Sequence, residues 1–352
     1  MTWLVTGGCG FVGSNLVARL LETGRRVCVL DDLSRAGSQA NLAWLRARPG
    51  AAVRLRFEKV DVADAAAVDS LVAELGPGLR CVAHLAGQVA MTVSLADPRR
   101  DFLTNACGTF NLLEAVRAHA PGAAFLYAST NKVYGELEWI AVEERETRYV
   151  LPAYPDGLPE DIPLDFSSPY GCSKGSADQY VRDYARVFGL ETVVFRHSSI
   201  YGGRQFSTYD QGWVGWFCRK ALEQKRACLG GVPAQAFTIS GNGKQVRDLL
   251  HVRDVVDLYL AAEERSEQLA GQVFNVGGGV ANSLSLLELF GRLERALAVD
   301  LVYEAREWRT ADQRVFIADT GSIRAALGWS PRVGLDEGLA DMLAWAAEME
   351  GA

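Results

Sequence analysis

A chain of 352 residues with 49% hydrophobic and 22% charged content is long enough to bury one large α/β core or two smaller ones. Its net charge of -7 excludes a general nucleic-acid binder, which would carry a basic face. No uncharged apolar run approaches the ~18 residues that cross a bilayer, and no basic leader or signal segment precedes the first predicted strand, so we expect a cytoplasmic protein with no membrane partner.

Strand and helix patterns alternate through the first 130 residues. WLVTG predicts a strand. The spacing of Phe11, Val12, Leu16 and Leu20 predicts a helix over Phe11–Glu22, with Gly24 as its stop. RVCVLD and VRLRFEKVD predict the second and third strands, Ala65–Leu75 a helix, CVAHLAG a fourth strand, 99–118 one long helix and AAFLYAS a fifth strand. Short connections between such units predict a parallel sheet covered on both faces. The rhythm breaks over 135–168, where Pro152, Pro155, Pro159 and Pro163 leave little regular structure; a lid or binding loop and a surface insertion are both open. Ser168 as N-cap and Pro169 at the first helical position then open a helix with an apolar stripe (Ala177, Tyr180, Val181, Tyr184, Val187 and Phe188) that ends at Gly189. ETVVFR predicts a sixth strand, and QAFTIS and QVFNVG read as isolated strands in a mixed C-terminal region. Seven dispersed cysteines read as reduced thiols, and four scattered histidines lack metal-ligand spacing, so no metal is expected.

LVTGGCGFVGSNL places glycines at 7, 10 and 13 between a strand and a helix. Glycine permits the sharp turn and lets amides approach a pyrophosphate at the helix N-terminus. A plain tight turn is the competing reading; the strand before, the helix after and an acidic residue about 20 positions on favour a dinucleotide. Phe11 and Val12 open that helix. Asp31 ends the second strand, where a carboxylate accepts from the ribose diol and repels a 2′-phosphate, which favours NAD over NADP. Asp32, Ser34 and Arg35 follow, and Arg35 keeps a phosphate in play. Asp61 and Val62 are placed beside the adenine. Leu85, Ala86, Gly87 and Gln88 lie where the fourth strand meets the cofactor, and Asn105 and Ser129 are assigned to the same side. The expected fold is therefore α/β: a Rossmann-type doubly wound parallel sheet (1–197, with 246–276 returning to it) plus a smaller mixed α/β C-terminal substrate lobe (198–245 and 277–352).

SPYGCSKGSADQY carries Tyr170 and Lys174 four positions apart, hence on one helix face. Alone, such a pair is better explained by a solvated helix face. With Thr130 at the end of the fifth strand, the three converge beside a bound nicotinamide as a catalytic set. A tyrosine is too weakly acidic to be a base near neutral pH, and a lysine ammonium beside it favours the phenolate.

The combination of GxxGxxG, Thr130 and Tyr-x-x-x-Lys resembles the extended short-chain dehydrogenase/reductases over the whole chain. Within them, LAGQVAMTVS, STNKVYGELE, LDFSSPYGCSKGSADQY, FRHSSIYGGRQFSTYDQGWVGWF and ISGNGKQVRDLLHVRD look closest to the CDP-paratose 2-epimerases. The resemblance implies tightly held NAD, a nucleotide diphosphohexose substrate and inversion at the sugar C2. Related dehydratases carry an Asp-Glu pair after the strand-end threonine; Asn131 and Lys132 stand there, which disfavours water loss. A 4-epimerase and a non-catalytic NAD-binding regulator remain the alternatives.

Arg247 and Arg309 match positions where related enzymes hold nucleotide phosphates, and Arg204 is a third candidate; each also reads as a surface ion pair. Met91, Thr92, Ser94 and Asn131 are expected around the sugar. Tyr209, Trp213 and Trp216 stack on the base or fill the small lobe, and His197 is expected to be a core histidine. The expected assembly is a homodimer or homotetramer.

Overall fold

The structure is a computed structural model and describes residues 1–308 and 312–351. Seven parallel strands form the main sheet: β1 (Thr2–Thr6), β2 (Arg26–Leu30), β3 (Leu55–Glu58), β4 (Leu79–His84), β5 (Ala124–Thr130), β6 (Thr192–His197) and β7 (Val273–Val276), in the order β7-β6-β5-β4-β1-β2-β3. Both faces are covered, so the strands read as near-continuous apolar runs rather than alternating ones. Successive residues serve opposite faces. Trp3 and Val5 join Leu16, Phe195 and Tyr259 in one core, while Leu4 joins Leu112, Phe125 and Val181 in the other. The strand order reverses between β1 and β4, which opens a crevice at the carboxyl ends.

Helix α1 occupies Phe11–Glu22 as the spacing predicts. Helix α2 (Ser38–Arg46) was not foreseen, because its buried residues are mixed polar and apolar (Ser38, Asn41, Leu42, Leu45). The predicted helix over 99–118 is interrupted: Pro98–Phe102 is helical, Leu103–Cys107 is a π-turn, and α3 (Gly108–His119) follows. Periodicity cannot show a π-turn, which inserts one residue without breaking the helix and often marks a functional site. QVFNVG is not isolated; it supplies β7, the edge strand beside β6.

Helix α4 (Ser168–Phe188) begins where Ser168 Oγ accepts the Gly171 amide at 3.3 Å and ends at Gly189 in the left-handed conformation. Helix α5 (Trp213–Leu229) starts the smaller lobe, helix α6 (Val252–Glu264) packs back onto the main sheet, and helix α7 (Leu335–Gly351) packs beside α5. Strand Val246–His251 is central to the small sheet, flanked by Ser199–Tyr201, Ser283–Ser285 and Val315–Phe316. Thus, of the returning segment 246–276, the first strand belongs to the smaller sheet, and α6 and β7 to the larger. The lobe core is aromatic, with Phe217, Phe237 and Phe290 in mutual contact.

Residues 135–168 form neither a lid nor a loose insertion. Leu137, Ile140, Tyr149, Leu151, Leu158 and Ile162 are buried against Val246, Val315 and Phe316. The Leu158 amide donates to Ile317 O at 2.7 Å, and the Leu158 carbonyl accepts from Asn275 Nδ2 at 2.8 Å. The segment is a strap joining the two sheets.

Candidate active site

The carboxyl ends of the main sheet and the facing edge of the small lobe enclose a cavity of about 730 Å³. At one end, Gly7 has φ +65°, and a Cβ there would lie 2.7 Å from Ala86 N; a Cβ on Gly13 would lie 2.2 Å from Gly7 O. Only glycine fits these approaches. Gly10 caps α1 without a side-chain hydrogen bond, so the first amides of the helix face the cavity with their positive dipole end. Asp31 is buried and accepts from the Cys9 amide at 2.9 Å and the Leu33 amide at 2.8 Å. Burial raises its pKa while these two amides lower it. A pyrophosphate at the amides and a ribose diol at Asp31 fit this end, so these residues suit a dinucleotide. Phe11, Val12, Asp32, Ser34, Asp61 and Val62 line the same end, as do Leu85, Ala86, Gly87 and Gln88, and Arg35 stands exposed at the rim. Arg100, not singled out from sequence, closes it by bridging Asp61 at 2.7 Å and Asp32 at 3.4 Å.

Thr130, Tyr170 and Lys174 come together at the centre of the cavity, contributed by the end of β5 and the first two turns of α4. All three are buried. Burial pushes the Tyr170 phenol up to about 12, against the lowering influence of the neighbouring Thr130 hydroxyl. Burial brings the Lys174 amine down to about 7, against the attraction of Asp178 and Asp101. Lys174 Nζ donates to Ala128 O at 2.5 Å and lies 4.3 Å from the centre of the Tyr127 ring. The opening alternative of a solvated helix face is excluded by this burial.

Three assigned residues, Ser94, Asn105 and Ser129, spend their side chains on holding the site. Ser94 Oγ donates to Met91 O at 2.7 Å and accepts the Tyr170 amide at 3.2 Å, so its hydroxyl is spent on anchoring α4. The Thr92 hydroxyl is buried without a partner among the described residues. Asn105, carried inward by the π-turn, accepts the Gln88 amide at 2.9 Å and donates to Ser173 Oγ at 3.0 Å. The Ser129 side chain likewise donates away from the cavity, to Asp178 at 2.7 Å.

At the lobe end, Arg247 donates to Asp312 Oδ1 at 2.7 Å and to Gln313 O at 2.6 Å. Lys132 reaches the same Asp312 oxygen at 3.1 Å, and Asn131 Nδ2 donates to Gln313 Oε1 at 2.9 Å. Burial opposes the charge on Asp312, but Arg247 and Lys132 prevail and bring its carboxyl to about 2. Asp312 and Gln313 were missed because nothing in their local sequence marks them. Arg309 lies outside the described residues. Arg204 is committed elsewhere: its guanidinium lies between Trp44 and Trp345, 4.6 and 4.7 Å from their ring centres, and Nε donates to Asn41 at 2.9 Å. It fastens α2 to α7 at the cavity wall. Met91 and Trp213 line the cavity, Trp213 donating to Ser199 Oγ at 3.2 Å, while Tyr209 and Trp216 meet edge to face. His197 also lines it; burial first, and then Lys174, lower its pKa to about 3, so it is neutral. Among the described residues no group of His, Cys, Asp and Glu could hold a metal ion, and no helix is long and apolar enough to cross a membrane.

Comparison with known proteins agrees with this architecture. The family model described as GDP-mannose 4,6 dehydratase matches residues 4–342. The chain is 50% identical over 349 residues to CDP-paratose 2-epimerase of Salmonella typhi, covering 99% of this chain and 100% of that one. Among solved structures, UDP-glucose 4-epimerase of Thermotoga maritima with UDP-glucose superposes with a TM-score of 0.80 at 29% identity, covering 99% and 100% of the two chains. A dTDP-glucose 4,6-dehydratase of Streptomyces venezuelae solved with NAD superposes at 0.79 and 30% identity, covering 100% and 98%. By sequence, sheet order and site geometry together, the chain belongs to the GDP-mannose 4,6-dehydratase family of extended short-chain dehydrogenase/reductases.

Proposed function

We propose that the protein is a nucleotide-sugar epimerase that inverts C2 of a CDP-linked hexose, of the CDP-paratose to CDP-tyvelose type, by transient oxidation with tightly held NAD. The observation that carries this reading is the buried Thr130–Tyr170–Lys174 cluster with Asn131 and Lys132, not two carboxylates, next along the cavity wall. The 50% identity to a CDP-paratose 2-epimerase over nearly the whole chain supports the choice of carbon and base.

The glycine loop, the start of α1 and Asp31 would hold NAD, which supplies a reversible hydride acceptor. Tyr170 as phenolate takes the proton of the sugar C2 hydroxyl and later returns it, while Thr130 keeps that hydroxyl in line. Lys174 as ammonium favours the phenolate. Arg247 holds the diphosphate, so the oxidised sugar can present its other face without leaving. Arg309 shares that role in this reading. Asn131 and Lys132 cannot act as the acid and base of dehydration while one is an amide and the other is bound to Asp312.

An exposed aromatic patch on α3 and α4 (Phe110, Tyr180, Phe188) supports a homo-oligomer, and seven free cysteines support the cytoplasm. The test is incubation with CDP-, GDP-, UDP- and dTDP-hexoses, following C2 and C4 configuration by NMR. Inversion of C2 in a CDP-sugar, with a C2 deuterium retained in ordinary water and no net NADH, is expected. Inversion at C4 alone would make it a 4-epimerase, and no turnover across the panel would favour a regulator. The denatured protein should release NAD(H); release of stoichiometric NADP would overturn the reading of Asp31.

A further inference from the structure

Two buried carboxylates act on the Lys174 amine, and they are not equivalent. Asp178, one turn along α4, is gripped by Arg196 through Nε at 2.9 Å and Nη2 at 3.0 Å, so its charge is already neutralised. Asp101 is also fully buried, but all its hydrogen-bond partners among the described residues are neutral: Ser173 at 2.5 Å, Gln88 at 3.2 Å and Asn105 at 3.2 Å. A buried carboxylate without a counter-charge is strongly disfavoured. Lys174 is the complementary case, a buried amine that meets the Ala128 carbonyl and the Tyr127 ring face. The Asn105 amide lies near both. A Cβ on Gly87 would lie 2.9 Å from Asn105 Oδ1 and 3.9 Å from Lys174 Nζ, so amine and amide oxygen border the same glycine, while Asn105 Nδ2 donates to Asp101 at 3.2 Å.

We propose that Asp101 is a positioning residue that supplies the counter-charge holding the Lys174 amine in its ammonium form beside Tyr170, with Ser173 and Asn105 fixing the geometry between them. The inference rests on the reading of Tyr170 and Lys174 as the acid/base pair. Other groups facing Lys174 do not take this role. Tyr170 and Tyr127 are neutral phenols raised by burial, His84 on β4 and His197 on β6 are lowered to about 3 by burial and by Lys174 itself, and Arg196 is spent on Asp178. The carboxyl of Asp101 is raised overall by burial, against the lowering pull of the Ser173 hydrogen bond and of the Lys174 charge.

The chain has six lysines, so the Lys174 signal can be assigned in protein carrying ¹³C at lysine Cε, as the resonance lost in Lys174→Arg. Asp101→Asn keeps the size and removes the charge. The Lys174 titration midpoint is expected to fall by about one pH unit, and the alkaline limb of turnover to move down with it. An unchanged midpoint with activity lost equally at every pH would overturn the proposal. If Asp101→Asn does not fold, the exchange Asp101→Asn with Asn105→Asp keeps one carboxylate and brings it a side chain nearer to the amine. Its midpoint is expected above that of the parent, and a midpoint at or below the parent's overturns the proposal. The titration needs no turnover. Absence of activity on every sugar nucleotide would therefore sink the epimerase reading alone.

Discussion

At the sheet end of the cavity, Lys174 is a buried amine with no carboxylate in contact among the described residues, and its pKa sits near 7. At the lobe end, Arg247 and Lys132 share the carboxylate of Asp312 at 2.7 and 3.1 Å, and that carboxyl is held at about 2. Direct pairing fixes charge; separation leaves it adjustable. The paired cluster is suited to hold a ligand whose charge never changes, such as a diphosphate. The unpaired one is suited to a group that must exchange a proton within each turnover. The Asp178–Arg196 pair, one turn below Lys174, shows that the same helix can compensate a charge fully where chemistry does not need it.

Four substitutions test that contrast, the first by the largest expected effect. Tyr170→Phe should lower kcat about 10³-fold, with fold and bound NAD intact, because the proton-exchanging group is gone. Near-parental turnover by NMR assay would mean that the adjustable end of the cavity is not the chemical one. Asp178→Ala should destabilise the protein by about 3–5 kcal/mol in urea unfolding, since it leaves Arg196 buried and uncompensated. A loss below ~1 kcal/mol would show that this pair does not support α4.

Arg247→Ala belongs to the fixed-charge end and should raise KM about 10²-fold, with a smaller change in kcat. A fall in kcat at constant KM would place Arg247 in the chemistry instead. Lys174→Met should also lose turnover, and the smallest effect is expected in its stability, a gain on the order of 2 kcal/mol at pH 7. The folded amine near 7 lies below its ordinary value of 10.5, so the native chain bears the full cost of a buried ammonium below about pH 7. That cost fades as pH rises toward 10.5, and the advantage of Lys174→Met should fade with it. A gain that grows with pH would contradict the direction assigned to Lys174.

Much of the candidate site was legible because its parts are local. Tyr170 and Lys174 are four apart on one helix, and the glycines at 7, 10 and 13 sit on one turn, so spacing alone sets their relation. The surroundings of Arg204 were not legible for the opposite reason. Its chemistry suits a phosphate, but Trp44 and Trp345, 160 and 141 positions away in the chain, close on both faces of its guanidinium. The hydroxyl of Ser94 looked available to a sugar until the fold brought the Tyr170 amide against it. Asn105 fell in a segment whose periodicity predicts one straight helix, and the π-turn that redirects it has no periodic signature.

By itself the sequence determined the order of strands and helices, the glycine turn, the acidic end of β2 and the face shared by Tyr170 and Lys174, because each depends on residues within a few turns of one another. Only the tertiary structure decided which charges meet. Asp101 reaches the catalytic helix from 73 residues before Lys174, Asp312 reaches Lys132 from 180 residues after it, and Arg196 joins β6 to α4. Whether a carboxylate neutralises a cation or only biases it turns on separations of a few ångströms between distant segments, in a medium too dry for water to level the difference.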